Sequence, residues 1–116
     1  MADTHCLFCR IVAGEIPADV VAQSDLAIAF RDVNPQAPTH VLVIPRDHLA
    51  NVAEVAGAGD LDVAALIRLA HEVAETEGIA QTGYRLVVNT GPDAHQTVFH
   101  AHVHVLGGRP MGWPPG

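Results

Sequence analysis

The sequence predicts an α+β fold: a mainly antiparallel five-stranded sheet with one long and one short helix. Three observations lead there. Short stretches rich in β-branched residues follow one another in hairpin-like succession, one long stretch repeats apolar residues at helical spacing, and the strand–helix–strand alternation of a parallel sheet is absent. The GxGxxG and Walker signatures are absent too, so any nucleotide must be held by another kind of cradle.

Residues 6–13 (CLFCRIVA) form the short helix, stopped by Gly14 and by Ile16-Pro17. Residues 20–23 and 27–31 are strands around the turn Ser24-Asp25. Residues 34–38 (NPQAP) are a loop, because two prolines prevent a continuous helix or a central strand. Residues 40–44 (HVLVI), of high β-propensity, form a strand ended by Pro45. The long helix runs from about residue 61 to 77, with Asp60 as N-cap and Gly78 as the C′ residue. Val63, Leu66, Ile67, Ala70, Val73 and Ala74 make its apolar stripe. Residues 84–89 (YRLVVN) are a strand, 91–95 a loop and 98–106 the last strand. Gly107-Gly108 ends that strand, and residues 110–116 form an irregular tail.

A chain of 116 residues is expected to be one domain, spanning 1–116, and 49% hydrophobic residues against 16% charged make it globular rather than disordered. No apolar run approaches the ~18–20 residues of a membrane span, and the first residues lack a basic and apolar leader, so the expected compartment is the cytoplasm, with no membrane partner. The net charge is −7; the six arginines are scattered and there is no lysine. That argues against nucleic-acid polymers, which need several aligned cations, and excludes a catalytic lysine. A small anionic ligand stays compatible, because a few aimed donors outweigh a negative background.

The most informative motif is His100-Ala101-His102-Val103-His104-Val105-Leu106. In a strand it lines three imidazoles along one face, roughly 6.6–6.8 Å apart per step, and turns Phe99, Ala101, Val103 and Val105 toward a core. Two chemistries suit such a row. The three histidines could jointly ligate a metal, or one could be a nucleophile toward phosphorus with the others as hydrogen-bond and acid–base partners; imidazole serves both because its pKa lies near ~6.5.

The pattern His-φ-His-φ-His-φ-φ, with φ apolar, resembles the histidine triad superfamily. The segments 35–40 (PQAPTH), 42–45 (LVIP), 86–89 (LVVN), 106–111 (LGGRPM) and the final Trp113-Pro114-Pro115-Gly116, with residues 11–17 near the start, are similar to its Hint branch. The likeness covers residues 6–116. It implies a histidine-triad fold whose sheet extends across a homodimer, and a hydrolase that binds an AMP-like purine nucleotide and cleaves the P–N bond of adenosine 5′-phosphoramidates. By position, His102 resembles the nucleophile that forms a nucleotidyl-histidine intermediate, His104 the partner of the phosphate oxygens, and His40 the fourth histidine of the site. Thr97 resembles a hydroxyl at the phosphate or leaving group. Asp32 with Val33 resembles the ribose contact, and Asn89, His95 and Gln96 lie in segments that meet phosphate or sugar. Phe8, Ile16, Phe30 and Leu42 are candidates for a base pocket, or for core. The resemblance also implies that the tail, 107–116, reaches a partner subunit's site. No catalytic cofactor is implied. A second reading, a nucleotide-binding regulatory protein with incidental hydrolysis, uses the same site.

Physics constrains one of these roles. Thr97 has the opposite parity to the histidines, so in a regular strand its hydroxyl would face away from them; it must sit in the turn before regular pairing begins, or beside a bulge. Cys6-x-x-Cys9 on a helix places both sulfurs on one side. The pair reads as buried inert thiols or as half of a structural zinc site completed by His48 and His100, as some bacterial triad proteins have; no strand precedes it as in thioredoxin-like redox units. His95 stands where relatives usually have glycine, Thr97 where serine is commoner, and Gly112 where a bulkier polar residue is expected.

Overall fold

The computed structural model describes residues 3–116. A short helix, α1 (Leu7–Val12), leads into strands β1 (Val20–Gln23), β2 (Ala27–Arg31) and β3 (Thr39–Pro45). Helices α2 (Val52–Ala58) and α3 (Asp60–Thr76) follow, then strands β4 (Tyr84–Val87) and β5 (Val103–Gly107). The five strands form one antiparallel sheet in the order β1-β2-β3-β5-β4. The last strand is thus inserted beside β3, at the centre of the sheet. Among the described residues no helix is long and apolar enough to cross a membrane.

Both faces of the sheet are covered, which is why all seven residues of β3 are buried. Strand alternation sorts them. Val41 and Val43 of β3, Ala27 and Ala29 of β2, and Val103 and Val105 of β5 meet Leu66, Leu69, Ala70, Val73 and Ala74 of α3 in the larger cluster. Leu42, Ile44, Ile28 and Phe30 point the other way and pack on Phe8 of α1. His40 and His104 share this second face, because His40 pairs with Leu106 and Leu42 with His104 across the β3–β5 ladder. The face beneath α1 is therefore apolar toward β2 and imidazole-rich toward β5.

Strands β1 and β2, the loop at 34–38 and the tail at 110–116 lie where the sequence puts them. Several other expectations are corrected. The structure has two short helices, not one: α2 carries Gly57 in its interior and was hidden by it, yet Asn51 caps it by accepting the Glu54 N–H at 3.0 Å. The N-cap of α3 is Gly59, not Asp60; a φ of 145° at Gly59 breaks α2 from α3 and leaves Asp60 as the first helical residue. Gly78, at φ 76°, ends α3 as expected. Val63 and Ile67 are 41% and 50% exposed rather than core, and Leu69 takes their place in the buried stripe. Ladder pairing in β4 stops at Val87, and in β5 it begins only at Val103. Residues 98–102 are held instead by isolated bonds to distant chain, such as Ala101 N–H to the Leu49 carbonyl at 2.6 Å. Alternation survives at Ala101 but fails at Phe99, which is 65% exposed instead of facing the core.

Gly107 ends β5 directly against Ile79: a Cβ there would lie 2.5 Å from the Ile79 Cδ1. Gly107→Ala is expected to destabilise by about 1–3 kcal/mol through overpacking. In a double-mutant cycle by urea unfolding, Ile79→Ala should absorb a large part of that cost, and strict additivity would contradict the contact.

Candidate active site

Hydrogen bonds assign the protons on the histidines. The His102 Nδ1 lies 2.8 Å from the backbone oxygen of His100, an acceptor only, so Nδ1 carries the proton and Nε2 keeps its lone pair. The Gln36 backbone N–H donates to His40 Nδ1 at 3.0 Å, which puts the His40 proton on Nε2. That nitrogen donates to His104 Nδ1 at 2.8 Å and also faces the Asp32 carboxylate at 3.4 Å. His104 therefore holds its proton on Nε2. The result is a bare nitrogen on His102 beside an N–H on His104, with the two ring centroids 5.0 Å apart. Burial lowers His104 to about 4, helped by the neighbouring rings of His102 and His40, and burial also lowers His40 against the opposing pull of Asp32.

His102 and His104 line a cavity of about 710 Å³ between α1 and the sheet. Its walls bring together Asp32, Val33, Thr97, Phe8, Ile16, Phe30 and Leu42. Thr97 lies in irregular chain ahead of β5, as its parity requires. Leu7, Ile11, Pro17, Ala18 and Val98 complete the apolar wall; scattered over three segments, they carried no periodic signal. Asp19 and Arg31 also reach the wall and pair with each other at 3.2 Å, while the Arg31 guanidinium grips Glu77 at the end of α3.

Four expected residues do not line this cavity, and one of them, His40, stands behind His104 and reaches the site through it. Asn89 lies beyond the end of β4. His95 is exposed at φ 61°, a left-handed conformation that explains why glycine suits the position. Gln96 is buried and braces the loop: its amide donates to the Ala50 and Val98 carbonyls and accepts the Gly91 N–H. The backbone N–H groups of His95 and Gln96 donate to Pro92 and Gly91 carbonyls, so they are spent within the loop.

The first histidine of the row is turned elsewhere. His100, fully buried, directs Nε2 to the Pro45 carbonyl at 2.8 Å and Nδ1 to the sulfurs of Cys6 and Cys9 at 3.3 and 3.5 Å. His48 Nδ1 meets Cys9 Sγ at 3.3 Å, and its Nε2 faces the Asp3 carboxylate at 4.0 Å. The two sulfurs and two nitrogens all lie within 4.8 Å of one another. A tetrahedral ion with bonds of ~2.0–2.3 Å needs ligand atoms about 3.3–3.8 Å apart, so this donor set fits zinc, and the outward nitrogens face oxygen acceptors as metal-bound imidazoles do. A metal shared by His100, His102 and His104 is not supported, since both His100 nitrogens point to other partners.

A HIT domain profile matches residues 13–111. The chain belongs to the HIT family. This HIT protein is 47% identical over 106 residues to the purine nucleoside phosphoramidase of Escherichia coli K12, covering 91% of the chain and 89% of that relative. It is 46% identical over 116 residues to a 14 kDa zinc-binding protein of Zea mays, covering 98% and 90%. The crystal structure of a HIT family hydrolase from Legionella pneumophila Philadelphia 1 matches at a TM-score of 0.87 and 50% identity, covering 96% of this chain and 99% of that one. The HIT protein is accordingly a hydrolase of that family.

The buried, neutral histidines set an acid limit on its stability. Unfolded, His104 and His40 bind a proton near pH ~6.5; folded, both resist it, so the unfolded chain binds more protons below that pH. Stability is therefore complete above about pH 7 and is lost as pH falls from about 6.5 toward 4. Calorimetric Tm should drop across that window, and less steeply in His104→Gln; a Tm flat from pH 7 to 4 would contradict the assignment.

Proposed function

We propose that this hydrolase cleaves the P–N bond of adenosine 5′-phosphoramidates through a nucleotidyl intermediate on His102. The observation that carries this is the His102–His100 bond, which leaves a fixed imidazole lone pair on the wall of a cavity sized for a nucleotide. The His102 Nε2 attacks the α-phosphorus, and the P–N bond opposite breaks as the amine takes up a proton from solvent, one being returned when water later attacks the intermediate, with the Thr97 hydroxyl at the leaving-group side. As the His102 ring becomes cationic, its Nδ1–H bond to the His100 carbonyl strengthens. The His104 Nε2–H donates to a phosphoryl oxygen, and the His40 and Asp32 relay behind it supports that donor. Water then attacks the intermediate and releases the nucleoside monophosphate. Asp32 accepts the ribose hydroxyls, while Phe8, Ile16, Phe30 and Leu42 enclose the purine.

The same reading includes a structural zinc ion held by Cys6, Cys9, His48 and His100. Four protein ligands would close its coordination, which assigns it to stability and not to the reaction. It also includes a homodimer. The exposed Val63 and Ile67 of α3 would be covered there, and the tail with Trp113, 82% exposed, would reach the partner's cavity.

His102→Asn should lower kcat on an adenosine phosphoramidate by at least ~10³-fold while AMP still binds, and acid-quenched wild-type protein should carry AMP on His102 by peptide mass spectrometry. Full activity of the variant, or AMP trapped on another residue, defeats the proposal. The purified protein should contain one zinc per chain, and its removal by a chelator should lower the Tm; a metal-free protein of unchanged Tm would refute the structural ion.

A further inference from the structure

We propose that Cys6 and Cys9 form a peroxide-responsive thiol pair, closing reversibly to an intramolecular disulfide that slows the chemistry at His102. The last clause rests on the function proposed above; the disulfide itself does not.

The pair is placed for closure. Cys6 precedes α1 and Cys9 lies in its first turn, with the Cys9 N–H donating to the Cys6 sulfur at 3.4 Å. Residues three apart at a helix start have Cα atoms about 5–6 Å apart, within the ~4.4–6.8 Å that a disulfide spans. The sulfurs already lie within 4.8 Å of each other. Access is unequal. Half-buried Cys6 lines a second cavity, of about 310 Å³, together with Asp3, His5 and His48, and this cavity meets the larger one at Leu7, Thr97 and Val98. Cys9 is only 4% exposed. A peroxide therefore reaches Cys6 first and finds Cys9 behind it as the resolving thiol.

The step balances. The Cys6 sulfur attacks one peroxide oxygen, the O–O bond breaks, and a sulfenic acid and one water result. The Cys9 sulfur then attacks the Cys6 sulfur, the S–OH bond breaks, and a second water leaves with the disulfide formed. Two thiols are oxidised and one hydrogen peroxide is reduced. Where the sulfurs hold a metal, it departs and two solvent protons complete the balance.

The consequence runs through two contacts. Both sulfurs now face His100 Nδ1, and Cys9 also faces His48; drawing the sulfurs together withdraws them from both rings and removes two of the four donors. The backbone oxygen of that same His100 fixes the His102 ring. Phe8, between the two cysteines, stands edge-on to the His100 and His102 rings at 5.8 and 5.4 Å. Tightening the first turn of α1 moves the ring against which the nucleophile packs.

The experiment treats the whole protein with a small molar excess of hydrogen peroxide and follows three signals: alkylatable thiols with intact mass, released zinc by a chromogenic chelator, and kcat on an adenosine phosphoramidate. We expect both thiols to become unreactive with a mass loss of one hydrogen pair, zinc to appear in step, and kcat to fall at least fivefold with AMP affinity retained, all but the zinc loss reversed by dithiothreitol alone and the whole by dithiothreitol with zinc. Cys9→Ser, by the same mass measurement, should give only adducts or cross-links at Cys6. Thiols that stay alkylatable, or that go straight to sulfinic acid, overturn the proposal, as does a disulfide that leaves kcat unchanged. A reduced protein that never cleaves the phosphoramidate refutes the function above instead, and the mass and zinc signals still decide the disulfide.

Discussion

The hydrogen bond from His102 Nδ1 to the backbone oxygen of His100 is the constraint on which the site depends. A carbonyl oxygen can only accept, so the bond fixes both the rotation of the ring and the nitrogen that carries its proton. The opposite nitrogen is left with a lone pair on the cavity wall. The bond exists because the chain around residues 100–102 is not yet a ladder strand. In the paired part of β5, backbone oxygens serve the neighbouring strands; just before it, the His100 oxygen is available to a side chain two residues on.

The neighbouring imidazoles owe their order to the antiparallel register. His40 on β3 and His104 on β5 are diagonal neighbours on one face, and the Gln36 backbone N–H sets the direction of the whole relay by occupying His40 Nδ1. Donor and acceptor alternate from Gln36 through His40 to His104 and end on an N–H beside the His102 lone pair. Burial keeps His40 and His104 neutral, which preserves this alternation; a proton added to either would turn an acceptor into a second donor and break it.

Covering the sheet on both faces divides labour between its helices. Helix α3 closes the larger apolar cluster, and Glu77 at its C-cap grips Arg31. Helix α1 is only six residues long, too short to be stable alone, and it roofs the functional face. Its anchors are Phe8, packed edge-on against Phe30, and the two cysteines that meet His48 and His100. The brace under α1 and the ring arrangement above it thus share one residue, His100.

By itself the sequence determined the five-stranded sheet and the spans of its first three strands to within a residue, the long helix, the apolar alternation at 101, 103 and 105, and the need for Thr97 to lie outside regular pairing. Each follows from a local rule of period or steric exclusion, readable over a few residues. The spacing of Cys6 and Cys9 marked a pair that reads as inert thiols or as half a zinc site, and the likeness to triad proteins pointed to His48 and His100 as its other half. Helix α2 escaped notice because its glycine lowers helical propensity, and the exposure of Phe99, Val63 and Ile67 escaped because hydrophobicity does not say which side is covered. Only the tertiary structure decided that Gln96 braces a loop, that Asn89 and His95 stand off the cavity, and that His102 holds its proton on Nδ1 while His100 and His104 hold theirs on Nε2. Those outcomes depend on partners brought from distant segments — Ala50, Pro45, Gln36 and Asp32 — and a hydrogen bond between residues far apart in sequence leaves no mark on either of them until the chain has folded.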